Sequence, residues 1–136
     1  MKKAISFVLA LLLLSTSFIT FARASNQISS YGVGVVAEGN GKIKVNATIW
    51  GTHFNMIEIG FPDIILYERN SNDDGWNSVA LKSGKYNPNT PAGSYNYSFT
   101  YQGTAGKKYY AAAAFFAKDA EGETSRRANS FVETAT

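Results

Sequence analysis

Two segments of the chain alternate strictly between apolar and polar residues, and this pattern limits the possible folds more than any other feature. Every second residue over 42–49 is apolar, from Ile43 to Ile49, and the residues between them are lysine, asparagine and threonine. Over residues 95–101, tyrosine and phenylalanine alternate with asparagine, serine and threonine. Because successive side chains of a strand point to opposite faces, both segments predict antiparallel strands with one buried face.

Three further strands are predicted at residues 31–36, 64–67 and 109–117. Glycines interrupt the first, which places it at an edge or a bend, and the second is a continuous apolar run, as expected when both faces are covered. The third contains four consecutive alanines, which favour helix locally. The flanking aromatic residues and glycines nevertheless indicate a strand whose odd-numbered residues share one face.

Turn residues separate these segments and complete the prediction of an all-β fold. Asn40-Gly41 is a strong signal for a two-residue hairpin, because both residues accept the positive φ of such a turn. Residues 72–75 and 119–122 have similar composition, and the proline-containing residues 87–93 are numerous enough to cross between sheets. The sequence predicts an antiparallel β-sandwich of about seven strands, formed by residues 25–136 as a single domain.

The first twenty-four residues have the layout of a signal peptide. Lys2 and Lys3 precede an apolar run that is too short for a comfortable membrane span, and the small residues Ala22 and Ala24 come just before Ser25. We therefore expect residues 1–24 to be removed and residues 25–136 to be secreted and extracellular, with no further membrane span.

Composition excludes some partners for the secreted part. The whole chain has 13 Lys and Arg residues and 10 Asp and Glu residues, and three of the basic residues lie within positions 1–24. Residues 25–136 are therefore electrically neutral overall and carry no basic face of the kind that nucleic acid requires, so we expect no nucleic-acid partner. The chain has no cysteine, so the fold must be stable through packing alone, without disulfides.

Two hairpin regions resemble fibronectin type III and immunoglobulin-like domains. The segment from Gly106-Lys107-Lys108-Tyr109-Tyr110 to Gly122-Glu123-Thr124-Ser125 is similar to their last hairpin. The run from Ile65 through Gly75-Trp76 to Val79 is similar to the central one, although the tryptophan here follows the turn. The resemblance implies a β-sandwich and no particular activity. The chain is also similar to small secreted proteins of Gram-positive bacteria.

No catalytic or metal-binding constellation is evident. His53 is the only histidine, and neither a cysteine nor a Gly-x-Ser-x-Gly motif accompanies it, so we expect a structural role, no enzymatic activity and no cofactor. The oxygen-bearing residues Asn70, Asn72 and Asp74, followed by Gly75, match the first half of a calcium-binding loop. Leu81 stands where the bidentate glutamate would be needed, and a plain turn explains the same residues.

Aromatic residues are the best functional lead, since sixteen of residues 25–136 are Phe, Trp or Tyr. A few of them are expected to point away from the predicted core, because they lie in loops or on the outward side of the alternating strand pattern. Glycan-binding modules commonly use exposed Trp and Tyr rings as platforms for sugars; the alternative is that these rings cover the sheet as cross-strand pairs. The candidate ligand-binding residues are Trp50, Trp76 and Tyr86, with Tyr110 and Phe116 as further candidates.

The segment 54–62 is unusually apolar for a loop. It could be a further strand, a plug at the end of the sandwich, or an exposed loop that docks on a partner. The function that these observations favour is a secreted, non-catalytic module that binds an extracellular glycan or protein. The alternative is a structural or self-assembling surface protein, because a neutral domain with a glycine-containing edge strand can pair edge to edge.

The signal peptide leads to a direct prediction. When residues 1–136 are expressed in a Gram-positive bacterium, the protein in the culture medium should begin at Ser25. Intact-mass measurement tests this, and a full-length or cell-retained product would contradict it.

Overall fold

A computed structural model describes residues 27–70, 72 and 74–136, and the expected signal peptide lies outside the described residues. None of the described residues is helical, so no described helix could cross a membrane. The described part contains eight β-strands: β1 Ile28–Gly39, β2 Lys42–Gly51, β3 Glu58–Arg69, β4 Asn77–Tyr86, β5 Ser94–Gln102, β6 Lys108–Lys118, β7 Glu123–Asn129 and β8 Glu133–Thr134.

The strands form two antiparallel sheets that pack face to face. The small sheet has the order β1-β2-β5, and the large sheet has the order β4-β3-β6-β7, with the two-residue β8 paired to the start of β6. The chain changes sheets three times, between β2 and β3, between β4 and β5, and between β5 and β6. Residues 87–93 make the second crossing, as their length predicts. The predicted all-β sandwich is confirmed, and β8 is a short addition to the seven expected strands.

The core lies between β2 of the small sheet and β3 and β6 of the large sheet. The alternation in β2 is confirmed, since its four apolar residues are fully buried. A bulge in β3 changes its phase, so that both Phe61 and Ile64 face the core. Phe61 packs edge-on against Phe115 of β6, with ring centroids 5.7 Å apart.

The alanine-rich segment is a strand, as predicted, because it pairs on both sides. β6 forms ladders with β3 and with β7, which a helix could not do. Its inward residues are all buried: Tyr109, Ala111, Ala113, Phe115 and Ala117. Tertiary pairing has therefore overridden the local preference of alanine for helix.

The β1–β2 hairpin has the backbone that its sequence predicts. Asn40 and Gly41 have φ values of 56° and 77°, the left-handed region that a two-residue primed turn requires. The N–H of Gly41 donates to the carbonyl of Thr136, which joins this turn to the last residue of the chain.

The apolar segment 54–62 contains part of a strand, a buried plug and exposed side chains. β3 begins at Glu58, so the second half of the segment is a strand. Met56 is fully buried and pairs with Ala92, which closes this end of the core. Phe54 and Ile57 are exposed.

A buried tyrosine fixes the turn between β5 and β6. The hydroxyl of Tyr109 donates to Glu68 at 2.6 Å and accepts from the N–H of Thr104 at 2.9 Å. Gly103 permits this approach, because a Cβ there would lie 2.5 Å from the tyrosine oxygen. Burial and the Glu68 hydrogen bond raise the pKa of Tyr109 to about 12. Burial also raises the pKa of Glu68, but hydrogen bonds from Tyr109 and Lys107 outweigh that effect and lower it overall.

Removing the Tyr109 hydroxyl should destabilise the fold. Tyr109→Phe removes one hydrogen bond from Glu68, which keeps its bond to Lys107, and one from the Thr104 N–H. We expect a loss of about 1–3 kcal/mol in the free energy of unfolding. Tyr110→Phe is the matched control, since no hydrogen bond to the Tyr110 hydroxyl occurs among the described residues. Urea unfolding measures the free energy of unfolding of both variants, and equal values for the two would contradict the prediction.

Candidate functional site

The three candidate residues lie outside the core, but the fold does not bring them together. Trp50 lies on the outer face of the small sheet, at the end of β2. Trp76 directly precedes β4 of the large sheet, and Tyr86 is the last residue of that strand. The sequence therefore indicated correctly that these rings avoid the core, while their separation excludes a single site formed by all three.

Trp76 belongs to a cluster of rings that pack on one another. Tyr67 and Tyr110 are cross-strand partners with stacked rings, 4.9 Å between centroids, and Trp76 meets Tyr110 edge-on at 4.6 Å. The guanidinium of Arg69 lies 4.3 Å from the centre of the Trp76 ring. Much of the aromatic surface is thus already in contact, as the cross-strand alternative expects.

Tyr86 covers the other end of the large sheet. It pairs with Gly60 of β3, and its ring meets Phe116 of β6 edge-on, with centroids 6.3 Å apart. Burial raises the pKa of the Tyr86 hydroxyl, and the negative charges of Glu58 and Asp63 raise it further. This ring is a half-buried cover of the sheet and not a free platform.

Trp50 differs from the other candidates because its ring is available. It is 48% exposed, and no described aromatic ring or cation stacks on it. Its cross-strand neighbours are Ser30 on β1 and Ser94 on β5, so hydroxyl groups flank it on both sides. A flat indole with polar neighbours can offer an apolar face and hydrogen bonds to the same ligand.

The loop that follows Trp50 exposes two more apolar side chains. Phe54 is 79% exposed and Ile57 is 53% exposed. The backbone of this loop is nevertheless bonded to other segments: the N–H of Met56 donates to Ala92, and that of Ile57 donates to Lys118. The side chains are therefore exposed on a fixed loop, which is how recognition surfaces are commonly built.

His53 bonds the same loop to the turn between β6 and β7. Its Nε2 lies 2.7 Å from a carboxylate oxygen of Asp119, which is almost fully buried. The other Asp119 oxygen accepts from the N–H groups of Glu121 and Gly122. Burial raises the pKa of Asp119, but the hydrogen bonds from His53 and from these N–H groups outweigh it and hold the pKa below its usual range.

Both ring nitrogens of His53 are engaged within the protein. Nδ1 accepts from the N–H of Asn55 at 3.1 Å, so the neutral ring carries its proton on Nε2 and donates it to Asp119. In a catalytic triad the second nitrogen faces a nucleophile, whereas here it faces a backbone N–H. The pair positions the loop.

Positive side chains already occupy one of the candidate calcium ligands. The side-chain oxygen of Asn72 accepts from Arg69 and from Lys108. Asn70 and Asp74 line an open cleft with Arg69 and Lys107. A cation would have to displace these positive groups to reach the Asn72 oxygen. Among the described residues, no three histidine, aspartate or glutamate side chains are grouped to hold a metal ion.

Sequence reasoning did not identify Asp119 as the partner of His53. The two residues are 66 positions apart, and Asp119 has the composition of an ordinary turn residue. Only the strand order could have predicted this pair, because it places the β2–β3 and β6–β7 connections at the same end of the sandwich.

Comparison with known proteins gives little further information. No family model matches the chain, and no curated protein matches it. A solved structure of a hypothetical protein from Pyrococcus horikoshii OT3 is similar over 80% of this chain and 97% of that one, with 16% sequence identity and a TM-score of 0.42. Function is therefore inferred from the residues of this chain alone.

The buried Asp119 carboxylate should make stability depend on acid pH. The folded-state pKa lies below the unfolded value near 3.9, so the stabilisation is present above about pH 4 and is lost as the pH falls through the folded pKa. Asp119→Asn should therefore cost about 1–3 kcal/mol at neutral pH and progressively less below pH 4.

Urea unfolding at neutral and acid pH measures this difference. Asp74→Asn is the matched control, because Asp74 is an exposed turn residue. A stability gap between Asp119→Asn and the unchanged protein that persists undiminished at acid pH would contradict the prediction.

Proposed function

We propose that residues 25–136 form a secreted, non-catalytic β-sandwich that binds an extracellular glycan or protein through Trp50 and the loop after it. The observation that supports this most is the exposure of both Trp50 and Phe54 at one end of the small sheet, on a backbone that hydrogen bonds hold in place. The Cα partner of Trp50 is Ser94, and the ring of Phe54 lies against the preceding residue, Gly93.

Exposing these side chains has a free-energy cost that the fold does not require. Full burial of a large apolar side chain stabilises a protein by about 1.5–3 kcal/mol, and Phe54 forgoes most of that gain. Hydrogen bonds to Ala92 and Lys118 fix the backbone that carries it. A ligand would therefore meet a surface already in its binding geometry, with little ordering cost. Exposed apolar side chains gathered at one end of a domain are typical of interaction sites.

Strand order supports a fibronectin type III-like or immunoglobulin-like sandwich within this proposal. β4 pairs with β3 and not with β5, which gives sheets of three and four long strands. Tyr109 lies near the start of the sixth strand, and its hydroxyl accepts a hydrogen bond from the N–H of Thr104, five residues upstream. Immunoglobulin-like domains have a similar interaction, called the tyrosine corner. Loops at one end of these sandwiches often form binding surfaces, and Phe54 lies in the corresponding loop between the second and third strands.

Self-assembly is the second candidate function, and the edge of β1 favours it. β1 is twelve residues long, pairs only with β2 along its length and contains neither proline nor lysine. Long edges without such residues are templates for pairing with another chain. Sedimentation velocity over a range of concentrations separates the candidates, since a stable monomer excludes assembly and a concentration-dependent oligomer favours it.

The binding proposal predicts that Trp50 and Phe54 determine affinity. In a screen of the purified protein against a glycan array and cell-wall fractions, Trp50→Ala and Phe54→Ala should each weaken binding about tenfold, equivalent to about 1.4 kcal/mol. Leu81→Ala is the matched control, because Leu81 is 58% exposed but lies on the large sheet. Circular dichroism verifies that each variant is folded. Unchanged affinity of both folded variants would reject this surface as the site.

A further inference from the structure

The outer face of β1 has two glycines that the fold does not explain. Gly32 and Gly34 lie inside the strand and alternate with Val33 and Val35, which pack against the core. The ring of the preceding Tyr31 also meets the core, at Phe115. Neither glycine has a positive φ, and a Cβ added to either would meet nothing within 4 Å. Conformation and packing would both accept a larger residue.

Glycine at such positions weakens a strand, and its use there is typical of a place where a ligand or another backbone approaches closely. Without side chains at these two positions, the backbone of β1 is bare next to the outward side chains of β2. The result is a low shelf on the face of the small sheet, which we call the glycine shelf. Its floor is Gly32 and Gly34.

Amide and hydroxyl groups border the glycine shelf. Gly32 pairs with Thr48, which pairs with Asn96, and Gly34 pairs with Asn46. Ser98 completes the second row. All of these side chains are uncharged, and they both donate and accept hydrogen bonds.

Trp50 closes one end of the shelf on the same face, next to the Gly32 row. Lys44 lies at the other end, six residues from Trp50 along β2. At about 3.4 Å per residue this separation is about 20 Å. The surface therefore offers one flat apolar ring and then a run of uncharged hydrogen-bonding groups in a straight line.

We propose that a linear, uncharged polysaccharide lies along the glycine shelf, with one pyranose ring stacked on Trp50. This inference rests on the proposed binding function and assigns its ligand class. A sugar ring has an apolar C–H face for the indole and hydroxyl groups on its rim for Asn46 and Thr48. A polysaccharide repeats both features along its length and so leaves few buried polar groups without partners. The absence of charge on the shelf floor and its two rows matches a ligand without charge.

Filling the shelf tests this proposal. Gly34→Val should leave the thermal midpoint of unfolding unchanged or raise it, because valine favours a strand and the space is open. The same variant should weaken polysaccharide binding at least about tenfold. Ser125→Val is the matched control, because Ser125 is exposed on β7 of the large sheet. Affinity electrophoresis and depletion assays with cellulose, chitin, mannan and mixed-linkage β-glucan provide the probes.

Charge provides an independent readout. Binding of an uncharged polysaccharide should be nearly the same at low and high salt, and Lys44→Ala should retain it. Binding that disappears at high salt or with Lys44→Ala would overturn the proposal in favour of an anionic ligand.

The remaining outcomes separate this inference from the proposed function. If Trp50→Ala weakens binding and Gly34→Val does not, the shelf is overturned while the binding function stands. If no probe binds, the polysaccharide is overturned, and binding of a protein partner that Phe54→Ala abolishes would still support the function. If the protein self-associates and Gly34→Val abolishes this, the occupant is a second copy and the proposal is overturned.

Discussion

The pairing of β6 with β3 on one side and β7 on the other is the interaction on which the rest of the structure depends. β6 supplies the largest buried side chains of the core together with β3, and its inner face packs against the small sheet. Since the chain has no cysteine, this packing has no covalent support. The inner face of β6 combines the large side chains of Tyr109 and Phe115 with the small, buried Ala111, Ala113 and Ala117.

Each end of the sandwich has a polar cluster that bonds strands from distant parts of the chain. At one end, Tyr109 and Glu68 fix the turn between β5 and β6. At the other end, Asp119 and His53 hold the β2–β3 loop against the β6–β7 turn. Buried polar groups are costly unless their hydrogen bonds are satisfied, so both clusters help to specify a single arrangement. The second one also determines where Phe54 is presented.

Much of the fold could be predicted because local patterns determine it. The alternation in β2 and β5 set the face of each side chain, and Asn40-Gly41 set the first hairpin. The partners of individual side chains could not be predicted, since periodicity gives the face of a residue but not its neighbours across the sheet. Trp76 and Trp50 both avoid the core, yet Arg69 and Tyr110 pack on the first, whereas no described aromatic ring or cation stacks on the second. The pairing of His53 with Asp119 required the topology.

The hydrogen bonds among the loops at the Trp50 end also limit how this surface can change. The β2–β3 connection is hydrogen-bonded to Ala92 in the β4–β5 connection and to Lys118 at the end of β6. His53 adds a third link, to Asp119 in the β6–β7 connection. An insertion or deletion in any one of these connections would move the other two. New specificity at this end can therefore arise by exchanging side chains at positions such as Phe54, whereas changes of loop length would be selected against through loss of the fold.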